Sequence, residues 1–246
     1  MTKTLILIPS RMAATRLPGK PLLKINNLSI ISHVFKRAEE ANIGEVVVAT
    51  DDQEILKDVL KNGGRAILTN KNHKTGTDRI YEAYKKLNVN NIDYILNLQG
   101  DEPDINKDEI INLNNCMINH NAELGTLAAK IKGSKMFNDR NVVKVITDQK
   151  LEESNFPIAL NFTRDNLSTD YQNIYHHIGI YSYKVSVLEK FISLDQTNNE
   201  KINKLEQLRA LDNKLKINVA LAKSSPIGVD TEEDYLAIKK IMEYKI

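Results

Sequence analysis

Hydrophobic and polar positions follow two alternating patterns along the first hundred residues. Short continuous apolar runs, typical of buried strands, are separated by stretches in which apolar residues recur at helical spacing. The strand-like runs are residues 5–9, 45–50, 66–69 and 94–98, and the helical stretches are residues 30–41, 52–60 and 78–87. This alternation predicts an α/β fold with a mainly parallel central sheet and helices on both faces.

The pattern changes after residue 124, where strand-like segments follow one another with fewer helices between them. The predicted strands are residues 124–131, 142–147, 178–183 and 217–222, and the predicted helices are residues 185–192, residues 205–211 and one that begins near Thr231. This part of the chain predicts a smaller lobe of mixed or antiparallel strands. Because no Gly/Ser-rich or Pro-rich linker and no internal repeat interrupts the sequence, we expect a single domain, residues 1–246, with an inserted lobe at about 124–200.

The charge balance and the hydropathy exclude several classes of partner. The 34 basic and 32 acidic residues give a formal net charge of +2, which is too small for a nucleic-acid-binding or anionic-membrane-binding surface. The apolar run at residues 5–8 ends at Pro9, too early for a secretory signal, and nowhere do about 18 apolar residues follow one another. We therefore expect a cytoplasmic protein with no nucleic-acid and no membrane partner.

The single cysteine, Cys116, excludes an intrachain disulfide. It lies in the apolar-periodic run 110–118, which predicts a buried structural thiol. A reducing compartment agrees with this cysteine usage.

A loop rich in cations follows the first predicted strand. Residues 9–21 carry Arg11, Arg16 and Lys20 among small residues, just past the carboxyl end of a parallel strand, where open α/β sheets bind ligands. A triphosphate needs several cations and free backbone N–H groups, but the glycine pattern matches neither a Walker loop nor a dinucleotide-binding fingerprint. From composition alone, a phosphate-binding loop and a solvated loop both remain open.

Residues 73–79 form a second candidate, a turn that opens a helix. Hydroxyl groups, a glycine and an exposed helix N-terminus could hold a base or a phosphate there. The simpler interpretation is an ordinary helix start in which Thr77 is the N-cap.

Two aspartates complete the candidate nucleotide site. Asp101 follows the strand 94–98 directly, after Gly100 and before Pro103, and can hold a divalent cation over bound phosphates. Asp230 precedes Thr231 and Asp234, which predict a capping box that leaves Asp230 just outside the helix. A polar turn is the alternative at Asp101.

Two later segments carry further polar groups. In a strand at 175–181, alternation places His177, Gly179 and Tyr181 on one face and His176 on the other, and two histidines without a third ligand are a poor zinc signal. In the predicted helix 205–211, the leucines form the core stripe and leave Glu206 and Gln207 on the flank, where a solvated face is the alternative interpretation.

Taken in order, these motifs resemble the 3-deoxy-D-manno-octulosonate (Kdo) cytidylyltransferase family. The matching segments are residues 8–11, 15–22, 48–51, 76–79, 99–103, 143–145, 177–181, 205–209 and 229–234. The first segment alone is typical of sugar nucleotidyltransferases in general. The strand around His177 and the pair Glu206 and Gln207 resemble the Kdo branch specifically.

The resemblance implies a Rossmann-like nucleotidyltransferase fold, a homodimer, and the Mg²⁺-dependent conversion of CTP and Kdo into CMP-Kdo and pyrophosphate for lipopolysaccharide synthesis. By the same resemblance, Arg11 and Lys20 bind the CTP phosphates, Asp101 and Asp230 hold the magnesium ion, and these four are the catalytic residues. The residues that would line the cytidine pocket are Thr75, Gly76, Thr77, Arg79 and Gln99. Those that would hold Kdo are Arg164, His177, Glu206 and Gln207.

Two departures from the family pattern stand out. Ala14 replaces a serine that the family usually has in the phosphate loop, and the segment 161–167 keeps only Phe162 and Arg164 of a longer family pattern. The first departure removes one hydroxyl contact, and the second concerns the assignment of Arg164 to the sugar carboxylate.

Other functions compatible with these motifs are a cytidylyltransferase for another acidic sugar, such as 8-amino-Kdo or a nonulosonate, and a non-catalytic nucleotide-sugar binding protein. A glycosyltransferase would need an Asp-x-Asp motif after a strand, which residues 100–104 do not supply. For the homodimer, we expect an interface at strands 142–146 and 178–183, because an open sheet edge can pair with a copy of itself.

Overall fold

The computed structural model of the protein describes residues 2–13, 16–165 and 173–244. Within them the strands are β1 (Thr4–Ser10), β2 (Lys24–Ile25), β3 (Leu28–Ser29), β4 (Gly44–Thr50), β5 (Ala66–Leu68), β6 (Tyr94–Asn97), β7 (Leu124–Ala129), β8 (Lys144–Thr147), β9 (Ala159–Thr163), β10 (Ile174–Lys184) and β11 (Asn218–Leu221). The helices are α1 (Ile30–Glu40), α2 (Gln53–Lys61), α3 (Gly76–Leu87), α4 (Lys107–Asn119), α5 (Gly133–Asn138), α6 (Val185–Ser193), α7 (Asn198–Asn203), α8 (Leu208–Asp212) and α9 (Glu232–Glu243), with a 3-10 turn at Lys20–Leu22.

The chain divides into two compact units. Unit 1 comprises Met1–Ile111 and Pro226–Ile246, and unit 2 comprises Asn112–Ser225. The range of unit 2 encloses the predicted insertion at 124–200, and the single domain with an inserted lobe stays a prediction.

Unit 1 contains a parallel sheet with the strand order β6-β1-β4-β5. Four successive residues of β1, Leu5 to Ile8, are completely buried. Because successive side chains point to opposite faces of a sheet, both faces of β1 are covered, as a parallel sheet requires. The predicted mainly parallel sheet with covering helices is confirmed.

The helices of unit 1 begin where short polar side chains cap them. Ser29 Oγ accepts a hydrogen bond from the Ser32 amide at the start of α1, and Asp52 Oδ1 accepts from the Glu54 and Ile55 amides at the start of α2. Such caps satisfy amide groups that a helix leaves without partners. They explain why both helices begin directly after short loops.

Unit 2 contains a mixed sheet. Strand β11 is parallel to β7, while the pairs β7–β10, β10–β8 and β8–β9 are antiparallel. The pairing of β10 with β7 shifts register between Ile178 and Tyr181, so residues 179 and 180 form a bulge. The predicted mixed lobe is confirmed.

The prediction that strands 142–146 and 178–183 form open edges of the sheet, where a second copy of the chain could pair, is wrong. Strand β8 lies between β10 and β9, and β10 lies between β7 and β8. Both strands therefore have a hydrogen-bonded neighbour on each side. The homodimer itself stays a prediction.

Cys116 is partly exposed on α4 rather than buried, so the predicted buried thiol is wrong. Its Sγ lies 3.8 Å from Asn112 Oδ1, one turn earlier on the same helix. The neighbouring Leu113 and Met117 are completely buried, so the core-facing stripe of α4 passes beside the cysteine. In the part of the chain that the structure describes, no helix is long and apolar enough to cross a membrane.

Gly44 gives a testable prediction for the sheet of unit 1. A Cβ atom at this position would overlap the Thr4 carbonyl oxygen of the neighbouring strand. We expect Gly44→Ala to lower the free energy of unfolding by about 2 kcal/mol, measured by urea denaturation. Gly228→Ala is the control, because a Cβ atom there meets nothing within 4 Å. Equal stability of the two variants would contradict the close approach at Gly44.

Candidate active site

A pocket of about 410 Å³ lies in unit 1, next to the carboxyl ends of β1 and β6. The pocket brings together eight of the nine residues predicted for the nucleotide half of the site: Arg11, Lys20, Thr75, Gly76, Arg79, Gln99, Asp101 and Asp230. Thr77 is the exception: it lies in the first turn of α3, and its side chain is buried. Arg16, His73 and Lys74 also line this pocket.

Lys20 joins the two predicted metal ligands. Its Nζ lies 2.8 Å from Asp101 Oδ2 and 3.3 Å from Asp230 Oδ1. Arg16 Nη2 lies 3.0 Å from Asp230 Oδ2. Two carboxylates and two cations therefore form one charged cluster, in which the ammonium group lies between the acids.

The backbone also holds the two carboxylates close together. The Val229 amide donates a hydrogen bond of 2.9 Å to the Asp101 carbonyl. The predicted capping box of α9 is confirmed, since Thr231 Oγ1 accepts from the Asp234 amide while the Asp234 carboxylate accepts from the Thr231 amide. The Asp230 amide also donates to the Asp234 carboxylate, at 3.2 Å, but the Asp230 side chain takes no part in the capping box, as expected, and is 49% exposed.

The two carboxylates fit a magnesium ion that takes most of its ligands from substrate phosphates and water. Among the described residues, the carboxylates that line the pocket are Asp101 and Asp230, and no group of three or more His, Cys, Asp or Glu side chains could hold a metal. Mg²⁺ is usually bound through one or two carboxylates together with substrate phosphates and water. The pair therefore suits a metal that binds with a phosphorylated substrate.

Gly100 explains the position of Asp101. A Cβ atom at Gly100 would lie 2.8 Å from the Pro9 carbonyl oxygen and 3.1 Å from Ile31 Cδ1. The chain can therefore turn between β6 and Asp101 this close to the end of β1 because residue 100 has no side chain.

Glu102, which the sequence patterns do not single out, has its side chain buried directly after Asp101. Burial, and next to it the Asp101 charge, raises the pKa of Glu102 to about 8. Its Oε2 has no hydrogen-bond partner among the described residues. Glu102 is therefore mostly protonated at neutral pH.

Helix α3 begins one residue after Thr75, so the predicted N-cap at Thr77 is wrong. Thr75 Oγ1 accepts from the Asp78 amide at 3.1 Å, and the Asp78 carboxylate accepts from the Thr75 amide at 3.2 Å. This reciprocal pair is a capping box. It places the first turn of α3, with Gly76, at the pocket.

Arg79 is held by the protein itself. Its Nη1 donates to Thr69 Oγ1 at 2.6 Å, its Nη2 lies 3.1 Å from Asp51 Oδ2, and the residue is almost completely buried. The guanidinium therefore ties the ends of β4 and β5 to α3. The motif at residues 48–51 is explained by this contact, because Asp51 is the partner of Arg79.

The sequence patterns also miss the pair His73 and Glu82. His73 Nε2 is hydrogen-bonded to the Glu82 carboxylate, which also accepts from the Asn70 amide at 2.8 Å. Burial acts to raise the pKa of Glu82, but hydrogen bonds from Lys86, the Asn70 amide and His73 lower it to about 2. An ionised Glu82 thus fixes the imidazole that lines the pocket.

The candidate sugar-binding residues lie in unit 2, with His177 buried among polar neighbours. Its Nε2 lies 2.9 Å from the Tyr181 hydroxyl and 3.1 Å from Thr126 Oγ1. Burial lowers the pKa of His177 to about 3, with smaller contributions from His176 and Arg164. His177 is therefore neutral at physiological pH. The sequence patterns give no role to Thr126, because only the sheet pairing brings it to this histidine.

The charges of Arg164 and Glu206 influence the pKa values of His177 and of its neighbour Tyr181. The Arg164 charge contributes to the low pKa of His177. Burial raises the pKa of Tyr181 well above its usual value, and the charge of Glu206 adds to this after Tyr183. The Arg164 charge thus acts on His177, and the Glu206 charge acts on Tyr181, whose hydroxyl is hydrogen-bonded to His177. Gln207 follows Glu206 in the chain.

Glu206 and Gln207 lie in a turn, so the predicted helix start at residue 205 is wrong. Helix α8 begins at Leu208, and the turn is closed by hydrogen bonds from the Leu208 amide to the Leu205 carbonyl and from the Arg209 amide to the Glu206 carbonyl. Leu205 and Leu208 are buried as expected, whereas Leu211 is partly exposed.

Arg164 Nη1 donates to the Asn141 carbonyl at 3.1 Å and to the Arg140 carbonyl at 3.4 Å. Of the two sequence departures, Ala14 lies outside the described residues, and so do residues 166–167 of the altered segment.

The sequence is similar to those of known cytidylyltransferases. A model of the cytidylyltransferase family matches residues 5–217. Proteins named 3-deoxy-manno-octulosonate cytidylyltransferase from Rhodopseudomonas palustris (strain BisB18) and Thermodesulfovibrio yellowstonii are each 43% identical to this chain. The alignments cover 99% of both chains in the first case, and 97% of this chain and 98% of the relative in the second.

Solved structures agree with the fold as well. The structure of CMP:2-keto-3-deoxy-manno-octonic acid synthetase complexed with CTP has a TM-score of 0.91 and 32% identity, covering 100% of both chains. A 4-diphosphocytidyl-2C-methyl-D-erythritol synthase from Anaerococcus prevotii has a TM-score of 0.65 at 16% identity over 98% of this chain and 99% of that one, which indicates a shared nucleotidyltransferase fold. The chain therefore belongs to the cytidylyltransferase family, in the branch of the 3-deoxy-manno-octulosonate cytidylyltransferases.

Proposed function

We propose that this protein activates Kdo by transferring CMP from CTP, which gives CMP-Kdo and pyrophosphate for lipopolysaccharide synthesis. The observation that carries the proposal is the charged cluster of Lys20, Asp101 and Asp230 in the pocket at the ends of β1 and β6. Such a cluster suits a reaction on a triphosphate, because it supplies both a cation and carboxylates for a metal.

Cations of the phosphate loop neutralise the triphosphate. Arg11 is exposed at the pocket and Lys20 already faces it. Kdo is itself a carboxylate, so its approach to the α-phosphorus brings two anions together. Arg11 and Lys20 would reduce this repulsion and favour the charge distribution of the transition state.

Asp101 and Asp230 are the residues that would hold Mg²⁺, and their placement beside the phosphate-binding cations supports this role. When bound, the ion withdraws charge from the phosphates and lowers the pKa of a hydroxyl group close to it. Lys20 would then exchange its contacts with the two carboxylates for contacts with the triphosphate.

The nucleoside would lie against the start of α3. Thr75, Gly76 and Gln99 line the pocket there. The missing side chain at Gly76 and the small side chain of Thr75 leave room for a base or ribose. Arg79 lines the same part of the pocket, although it is almost completely buried, whereas the buried Thr77 would act only through the helix that carries it.

In the sugar half, Arg164 would bind the Kdo carboxylate, while Glu206 and Gln207 would bind its hydroxyl groups. His177 would act as a neutral hydrogen-bonding group, because a pKa of about 3 makes it a poor base at physiological pH.

In the transfer step the anomeric hydroxyl of Kdo attacks the α-phosphorus of CTP. The new bond joins the anomeric oxygen to the α-phosphorus, the bond from the α-phosphorus to the bridging oxygen breaks, and pyrophosphate leaves with that oxygen. The hydroxyl proton passes to solvent. Positioning and charge neutralisation provide most of the acceleration in this proposal. The proposed function also includes a homodimer as the active form and the cytoplasm as its location.

The acceptor is tested by pyrophosphate release from CTP and Mg²⁺, with Kdo, 8-amino-Kdo and a sialic acid as parallel acceptors and UTP as the nucleotide control. We expect release with CTP and Kdo and much slower release in the other combinations. Preference for another acidic sugar would replace the acceptor but keep the CTP half of the proposal. Absence of release with every acceptor would favour a nucleotide-sugar binding protein.

The carboxylate pair is tested by Asp101→Asn, with exposed Asp108→Asn as the matched control. Because the amide is a weaker metal ligand, we expect kcat to fall by about 100-fold or more, while calorimetry shows that CTP still binds. The control should retain the wild-type rate. A near-normal kcat for Asp101→Asn would overturn the proposed two-carboxylate metal site.

The neutral state of His177 predicts how Kdo binding depends on pH. Since its pKa lies near 3 instead of 6.5, His177 does not change charge between about pH 5.5 and 8. We therefore expect His177→Gln to raise the KM for Kdo by the same factor at every pH in this interval. A factor that changes steeply near pH 6.5 would mean that His177 titrates during Kdo binding.

A further inference from the structure

A buried ion pair joins α7 and α8 in unit 2. Arg209 donates from Nε to Glu200 Oε2 at 2.8 Å and from Nη2 to Glu200 Oε1 at 2.6 Å. Both side chains are only 4% exposed. The guanidinium also lies 4.7 Å from the centre of the Phe191 ring on α6. This pair is bidentate, packed and almost completely removed from water.

The carboxylate of this pair is held by other groups as well. Gln196 Nε2 donates to Glu200 Oε1 at 3.1 Å, and the Glu200 amide is bonded to the Thr197 hydroxyl at the start of α7. The position of Glu200 is therefore set by the local chain. Arg209 is aligned by a carboxylate that has little freedom to move.

Stability alone is a weak reason for burying such a pair. The cost of removing two charges from water often equals or exceeds their attraction, and apolar replacements of similar volume are often as stable. Arg209 is also one of only 8 arginines in a chain in which lysine is the more common cationic residue. A lysine could supply the charge but not the planar fork that Glu200 binds.

The same guanidinium reaches the turn that carries the candidate sugar ligands. Arg209 Nη2 lies 3.7 Å from Glu206 Oε1, so one nitrogen faces both Glu200 and Glu206. The backbone ties this turn at both ends, through hydrogen bonds from the Leu205 amide to the Glu200 carbonyl and from the Arg209 amide to the Glu206 carbonyl. Glu206 itself is 30% exposed and accessible to a ligand, unlike Arg209.

We propose that Arg209, aligned by Glu200, is a positioning residue that fixes the carboxylate of Glu206 and the adjacent Gln207 for binding the hydroxyl groups of the sugar. Arg209 does not touch the substrate and acts through Glu206. The inference rests on the proposed function, which assigns Glu206 and Gln207 to Kdo.

The test compares Arg209→Lys, Glu200→Gln and the double variant Glu200→Gln/Arg209→Met. Arg209→Lys keeps the charge and loses the fork, whereas the double variant removes both charges of the buried pair, so that neither Glu200 nor Arg209 is left as an unpaired buried ion. Val219→Ala is the matched control, because Val219 is completely buried on β11 of the same unit and carries no charge. The melting temperature, the KM for Kdo, the KM for CTP and kcat are measured for each variant.

We expect all three Arg209 and Glu200 variants to raise the KM for Kdo by about tenfold or more, with the KM for CTP within about twofold of wild type. The double variant is decisive, because its melting temperature should lie within about 5 °C of wild type while its KM for Kdo stays high. Val219→Ala should lower the melting temperature and leave both KM values unchanged.

A double variant that folds and has a wild-type KM for Kdo would overturn the positioning role, as would equal increases in the KM values for Kdo and CTP. If the double variant does not fold, Arg209→Lys provides the same comparison. A wrong acceptor assignment is distinguishable, because wild-type protein would then release pyrophosphate with another sugar or with none.

Discussion

The ammonium group of Lys20 between the carboxylates of Asp101 and Asp230 is the interaction on which the site depends. Two carboxylates held this close repel each other unless a positive charge lies between them. The chain supplies that charge from the loop after β1 and brings the acids from the end of β6 and the start of α9. The hydrogen bond from Val229 to Asp101 fixes their backbones. The phosphate-binding cations and the proposed metal ligands are therefore parts of one electrostatic arrangement.

The parallel sheet explains why residues so distant in sequence meet. Strands β1, β4 and β6 run in one direction, so the loops that follow them share one edge of the sheet of unit 1. Gly100 allows the third loop to approach the first, and Arg79 joins α3 to the loop after β4 through Asp51. In unit 2 the corresponding organiser is hydrogen bonding around a neutral histidine, with Arg209 and Glu200 behind the turn that carries Glu206.

Much of this could be predicted from the sequence, because the strands of the first hundred residues are long apolar runs and the site residues lie in motifs that follow them. Strand β9 could not, since Leu160 and Asn161 are both exposed and its apolar pattern is broken. The starts of α3 and α8 depend on which hydroxyl or carbonyl closes a turn, and hydrophobic spacing does not specify this. Partners such as Glu82 for His73, Thr126 for His177 and Glu200 for Arg209 are set by tertiary structure, and local sequence does not show them.

Glu102 couples the acid–base balance of the molecule to its folding. Its pKa is about 8 in the folded chain against an ordinary value of 4.5, so at neutral pH folding takes up nearly one proton and unfolding releases it. Because the folded state binds the extra proton, protonation of Glu102 contributes to the free energy of unfolding. This contribution is complete below pH 4.5 and is lost as the pH rises through 8. A buffer with a large ionisation enthalpy would thus contribute to the heat of unfolding measured by calorimetry.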